Sequence, residues 1–323
     1  MTTANLINTL QSNMKTFSLT LPNGATLTGR SHLPAPPADG SPATTRALLV
    51  GLHGGTYSSL YFDVDANHTA ATASDYLSIP FVAIDRPGYE GSTPYDSAPE
   101  ALTYTTDFGN WLHRFILPAV WTEFGPPNGC TALVLLAHSL GVPGAIIAAA
   151  NHSQETPAQR KYPLAGLVGS GWGSQSIPPD PANNLHDIAT HERMLLPPGT
   201  AHPSVYSHTA RLLRQMPPEE VGSLATVWLP RWRAEWAPNV RIPLMLAVVE
   251  QDPFWLGTDE HLRDWMAAFP NSPRVDGTFL PGAAHNIEMS LWSKGWYARC
   301  FGFAYECAVH LARARETATA GEL

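Results

Sequence analysis

Six short, nearly unbroken apolar runs limit most strongly how this chain can fold. They are Ala47–Leu52, Phe81–Ile84, Ala132–Ala137, Leu164–Val168, Leu244–Val249 and the weaker Val275–Leu280. Runs of this length without polar alternation suit strands covered on both faces, as in a parallel sheet. Helical patterns fill much of the space between and after them, over Tyr104–Phe124, Gly141–Asn151, Thr258–Phe269 and Ile287–Arg315. Strand and helix patterns in alternation predict an α/β architecture with helices on both sides of the sheet. Ahead of the first run, Phe17, Leu19 and Leu21 alternate with Ser18 and Thr20, and Pro22-Asn23-Gly24 offers a turn. Thr16–Leu33 therefore reads as a hairpin, and the Pro- and Ala-rich stretch Pro34–Thr45 as an exposed loop.

One interval breaks the rhythm. Gly171–Arg241 is rich in Pro, Trp and His and carries no clean strand pattern. It predicts a helical cap (171–241) inserted into a core domain made of 1–170 and 242–323. Trp228, Trp232 and Trp236 follow i, i+4, i+8 spacing, which places them near one helical face. Pro230 has to occupy the first turn of that helix or it would break it. The tryptophan face suits either packing of cap against core or, with Trp172, a substrate wall formed by Trp172, Trp228 and Trp232, to which Thr56 is added as a candidate substrate-binding residue. His186, His191, His202 and His208 also fall in the cap, without a metal-ligand signature. No metal and no cofactor is called for.

Composition narrows the function classes. Apolar residues make up 44% of the 323 residues and charged residues 14%, against roughly 25% charged in average domains. A folded chain with a sizeable core is expected. The net charge of −8, with no Lys/Arg block, argues against a nucleic-acid partner. Cys130, Cys300 and Cys307 lack the short spacings of a zinc site or disulfide framework and are expected to be reduced. Met1–Thr20 has no basic n-region followed by an apolar run, and no stretch reaches the roughly 20 apolar residues of a membrane span. A cytoplasmic location follows as the expectation, with a frayed tail over Glu316–Leu323.

The chemistry sits at the ends of the apolar runs. Ala137-His138-Ser139-Leu140-Gly141 ends one run and opens a helix. A serine on a tight strand-to-helix turn needs small residues two before and two after it, because larger side chains collide across the turn. Such a pentapeptide is common by chance, and its weight comes from that strand–turn–helix context. Leu52-His53-Gly54-Gly55-Thr56 follows the first run. A Gly-rich loop there lets backbone N–H groups approach a developing oxyanion. Gly55 is the assigned donor, with Thr56 its competitor, and the N–H of Leu140 is the second donor. His285, in Pro281-Gly282-Ala283-Ala284-His285-Asn286, is placed to act as general base. After the fifth run, Glu250 and Asp252 compete as the acid; Asp252, in the turn before Pro253, is preferred.

Together with Asp85-Arg86-Pro87-Gly88-Tyr89, these motifs resemble the α/β-hydrolase fold superfamily in its capped branch, over residues 16 to 315. The resemblance implies an eight-stranded, mostly parallel sheet and the order Ser139, Asp252, His285 for a catalytic triad. Two departures stand out: Ala137 replaces the commoner first glycine, and Glu90 interrupts the aromatic-Gly step after Gly88. Arg86 reads as a loop anchor. The expected activity is hydrolysis of an ester, lactone or thioester of a small-to-medium apolar substrate through an acyl-enzyme. Two rivals stay open. One is C–C bond hydrolysis, cyclisation or acyl transfer on a polyketide-like secondary metabolite. The other is a non-catalytic ligand-binding module on a hydrolase scaffold.

Overall fold

The computed structural model describes residues 13–36, 45–95, 103–178, 180 and 183–321. The first twelve residues and most of the expected loop at Pro34–Thr45 lie outside them. Among the described residues there are ten strands: β1 (Lys15–Thr20), β2 (Thr26–His32), β3 (Ala47–Leu52), β4 (Asp63–Asp65), β5 (His68–Thr69), β6 (Phe81–Ile84), β7 (Ala132–His138), β8 (Leu164–Ser170), β9 (Leu244–Gln251) and β10 (Val275–Ala284). Eight form one sheet in the order β1-β2-β6-β3-β7-β8-β9-β10. Only β2 runs against its neighbours, β1 and β6; every other pairing is parallel.

Every residue of β3, β6, β7 and β8 is buried, which is why these segments carry no polar alternation. One face of the sheet meets the helices that contain Phe108, Ile146 and Trp265. The other meets Ala71–Leu77 and the terminal helix, through residues such as Trp296 and Phe301.

Several expected elements differ in detail. The helix over Tyr104–Phe124 divides into Tyr104–Trp111, a π-turn at Leu112–Ile116, and Leu117–Phe124. Pro118 sits at the start of the last piece, and its nitrogen has no hydrogen to donate. The wider turn before it has Leu117 N–H reach back five residues to Leu112 O. The same device recurs at Pro230, where the π-turn Leu224–Trp228 precedes Leu229–Glu235. The terminal helix starts at Ser293, after a 3₁₀ turn at Ile287–Met289, and continues to Gly321, past the expected end at Arg315. The expected strand Val275–Leu280 extends through an irregular register to Ala284. The ribbon β4–β5 and the helix Ala71–Leu77 were not anticipated.

Between β8 and β9 the described chain is helical: Ile188–Leu195, Pro203–Tyr206, Thr209–Leu212, Pro218–Ser223 and Leu229–Glu235, with the π-turn before the last. Among its described residues the segment has no core of its own. Leu195, Leu196, Ala201, Val205 and Leu212 belong to the apolar cluster on the terminal-helix face. Trp228, Trp232, Trp236, Ala237 and Val240 belong to the cluster on the opposite face.

Candidate active site

Ser139 follows β7 directly, with φ at +49°. This left-handed conformation is uncommon for a residue with a side chain and is held by its surroundings. Its N–H donates to Ser170 O at 2.9 Å, and its carbonyl accepts Val142 N–H at 2.9 Å as the helix Gly141–Gln154 begins. The second small residue of the pentapeptide is a steric requirement. A Cβ on Gly141 would lie 2.7 Å from Leu52 O and 3.0 Å from His53 O. Ala137, two before the serine, is fully buried.

His285 leaves the end of β10 beside this turn. Its Nε2 lies 3.1 Å from Ser139 Oγ and its Nδ1 lies 2.8 Å from Asp252 Oδ2. Asp252 is fixed in turn, because Oδ1 accepts the N–H groups of Phe254 (2.9 Å) and Trp255 (3.2 Å). The competing carboxylate is elsewhere: Glu250 Oε2 accepts Gly282 N–H at 2.6 Å and faces solvent. Ser139, Asp252 and His285 thus form one hydrogen-bonded line.

Above that line lies a cavity of about 840 Å³, within the size range of small-molecule sites, roughly 300–1,000 Å³. Gly54, Gly55, Ser139, Leu140, Asp252 and His285 line one part of it. A Cβ on Gly54 would meet Ser139 Cβ at 2.9 Å, and one on Gly55 would meet Leu140 Cδ1 at 2.7 Å. Gly54 is therefore required by close approach to the serine turn, whereas at Gly55 the close atoms are the ends of the flexible Leu140 and Met216 side chains. Leu140 precedes the first turn of its helix, where backbone N–H groups lack intrahelical partners. Thr56 also lines the cavity, at φ +63°.

Apolar side chains dominate the rest of the wall, among them Trp172, Ile177, Met194, Leu224, Leu229 and Trp255. Asn183, His186 and Arg193 add a polar stretch. Of the three tryptophans expected as a substrate wall, only Trp172 lines the cavity. Trp228 and Trp232 do not. Trp228 stacks on Trp232 at 6.1 Å and on Trp236 at 5.2 Å, and Trp232 tilts against Phe269 at 6.1 Å. Their apolar helix face is used up in the seam with the sheet domain, which corrects the substrate-wall expectation for both.

Behind Ser139 and His285 runs a buried polar chain that sequence reading missed. Asn286 Nδ2 donates to Tyr57 Oη at 2.5 Å, and its Oδ1 lies 3.2 Å from His138 Nε2. The Tyr57 hydroxyl meets His191 Nε2 at 2.6 Å, while His191 Nδ1 meets Leu185 O at 3.0 Å. A backbone carbonyl only accepts, so Nδ1 carries the hydrogen and Nε2 accepts from tyrosine. On the other side of His138, Ser170 Oγ lies 3.0 Å from Nδ1 and donates to Glu288 Oε1 at 2.7 Å. Burial, then the neighbouring His285, holds His138 well below the usual imidazole range. Burial also lowers His191, to about 4, and raises the Glu288 carboxyl. His138 and Asn286 adjoin the two motif residues in sequence, so adjacency was the available signal. Nothing local marks Glu288 or His191.

The cysteines offer no activated thiolate. All three are free and buried, and burial pushes the Cys130 and Cys307 thiols up to about 12. Among the described residues, no cluster of three or more His, Cys, Asp or Glu could hold a metal ion, and no helix is long and apolar enough to cross a membrane.

The α/β hydrolase family model matches residues 49–294, and the chain belongs to that family. Solved structures agree on the fold. A proline iminopeptidase from Mycobacterium smegmatis is 16% identical, with a TM-score of 0.59 over 91% of this chain and 99% of that one. A putative aryl esterase from Burkholderia cenocepacia is 14% identical, with a TM-score of 0.61 over 92% and 100%. A putative lipase from Acinetobacter baumannii AYE is 13% identical, with a TM-score of 0.62 over 92% and 93%. No curated protein matches the sequence.

Proposed function

We propose that this chain is a serine hydrolase acting on esters, lactones or thioesters of small-to-medium apolar compounds. The observation that carries the reading is the line Ser139 Oγ–His285 Nε2 (3.1 Å) and His285 Nδ1–Asp252 Oδ2 (2.8 Å) beside a mainly apolar cavity. Ser139 Oγ attacks the acyl carbon and passes its proton to His285 Nε2. Asp252 holds the Nδ1–H tautomer and stabilises the imidazolium that forms. The N–H groups of Gly55 and Leu140 receive the negative charge on the carbonyl oxygen. His285 then protonates the leaving oxygen or sulfur, and water, deprotonated by the same imidazole, releases the acid from Ser139. In this reading 171–241 is the cap of a core formed by 1–170 and 242–323.

Fluorophosphonate labelling followed by a screen of p-nitrophenyl esters tests the reading. Labelling should map to Ser139 and disappear in Ser139→Ala. That variant should stay folded and lose on the order of 10⁴- to 10⁶-fold in kcat. Asp252→Asn should lose roughly 10³- to 10⁴-fold, and Glu250→Gln should stay near wild type. A wild-type protein that neither labels nor hydrolyses any ester in the screen would sink the assignment.

A further inference from the structure

Arg86 is a buried cation within hydrogen-bonding reach of the glycine loop. It follows β6 and is 1% exposed. Its Nη1 donates to Glu220 Oε1, and its Nη2 donates to Gly54 O at 3.0 Å and to Tyr89 Oη at 3.2 Å. The Tyr89 hydroxyl donates to Glu220 Oε2 at 2.6 Å. The guanidinium also sits 4.8 Å from the centre of the Tyr89 ring and 5.4 Å from that of Phe108. Burial alone would lower its pKa, but the charge of Glu220 and the contacts with Tyr89 more than reverse that and the net shift is upward. The carboxylate is equally enclosed: Glu220 is 3% exposed and belongs to the helix Pro218–Ser223, in the segment between β8 and β9.

Gly54 O receives a second hydrogen bond. Arg86 N–H donates to His53 Nε2 at 3.0 Å, so that nitrogen is an acceptor and Nδ1 carries the hydrogen. His53 Nδ1 therefore donates to Gly54 O at 2.7 Å. A carbonyl held by two donors is fixed in direction. The described chain has no cis peptide bond, and in a trans peptide the N–H points opposite to the C=O. The N–H of Gly55 is thereby turned away from Arg86 and His53.

We propose that the Glu220–Arg86 pair is a positioning device that aims the Gly55 N–H at the substrate oxyanion, so that the inserted segment sets the transition-state geometry as well as the shape of the cavity. The proposal rests on the serine-hydrolase reading. Glu220 fixes where the guanidinium lies, the guanidinium fixes the Gly54 carbonyl, and the peptide plane carries that orientation to Gly55. A planar guanidinium can meet Glu220 and Gly54 O at once because its donors form a rigid fork. Lysine in its place keeps the charge for Glu220 but concentrates it at one point.

Three variants test this: Glu220→Gln, Arg86→Lys and Tyr89→Phe. Each is measured per active site titrated with a fluorophosphonate. The probes are a p-nitrophenyl ester, an alkylboronic acid of the same chain length as an oxyanion mimic, and the matching unreactive ether. Glu220→Gln and Arg86→Lys should lower kcat roughly 10- to 100-fold, short of deleting a donor outright, with KM within about two-fold. Boronate affinity should fall in parallel with kcat, while ether affinity holds. Tyr89→Phe removes only the hydroxyl between Arg86 and Glu220, and should lower kcat about three- to ten-fold; it supplies the answer if the first two variants fail to fold. A pair that only braces the fold would lower Tm and leave kcat per titrated site and boronate affinity unchanged, which overturns the proposal. Inactivity of the wild type itself would overturn the underlying hydrolase reading instead.

Discussion

The two halves of the segment between β8 and β9 border the same cavity and both bury apolar side chains, but they differ in what is added to that burial. The first half, through Leu212, adds polar contacts to chain on the terminal-helix side of the sheet. His191 meets Tyr57, Ser204 donates to Asp65, and Arg211 donates to Val64 O. Asn286 N–H reaches Leu195 O, and Leu291 N–H reaches Thr200 O. The second half is fastened mainly by aromatic area, the Trp228–Trp232–Trp236 stack, together with the buried pair Arg86–Glu220. Hydrogen bonds through titratable side chains respond to pH, whereas buried apolar area does not. His191 should therefore make the first half loosen with acid, and the tryptophan stack should make the second loosen with truncation.

Trp228→Ala should have the largest effect on stability, because the residue is 1% exposed and lies between its two partners. A loss of about 3–5 kcal/mol in urea unfolding is expected, with KM for a small ester unchanged. A shift in KM without loss of stability would return Trp228 to the cavity wall.

Acid should act through the other half. His191 titrates near 4 in the folded chain, against about 6.5 when unfolded. Between those values the unfolded chain binds more protons, so the contribution is present above about pH 6.5 and is lost as pH falls toward 4. It amounts to on the order of 3 kcal/mol. His191→Gln keeps an acceptor for Tyr57 and should flatten the fall in unfolding midpoint between pH 7 and pH 4.5. An unchanged slope would remove His191 as the acid-sensitive contact.

The smallest effects concern selectivity. Met194 from the first half and Leu224 from the second both line the cavity and are half-buried. Shortening either to Ala should raise KM for a bulky aryl ester by about 1 kcal/mol and leave an acetate ester near wild type. Equal changes on both esters would take that half out of contact with the substrate.

The sheet was legible because its central strands are buried on both faces, and the serine turn because sterics dictate its small residues. What remained hidden has physical reasons. Glu250 and Asp252 are two residues apart, so strand alternation sends both to the same side; only the turn at Pro253 separates their partners. The Trp228–Trp236 spacing identified one helical face correctly, but an apolar face reads the same whether it meets a core or a cavity. Pro118 and Pro230 each follow a π-turn that lets the helix continue past them, and that turn has no sequence pattern of its own. Tyr57 meets His191 and Ser170 meets Glu288 across more than a hundred residues each, and no local pattern encodes such meetings.

The absence of a separate core in 171–241 bears on how the chain is made. Its tryptophan stack leans on Phe269, and the cluster under its first half is completed by Trp296 and Phe301. On the ribosome those partners emerge some thirty to seventy residues after the stack itself. At about 5–20 residues per second this leaves the three stacked tryptophans uncovered for several seconds. During that interval it is a ready substrate for a chaperone and a point of contact between neighbouring nascent chains. Yield in the cell should thus depend on how fast β9, β10 and the terminal helix follow, independently of how stable the finished protein is.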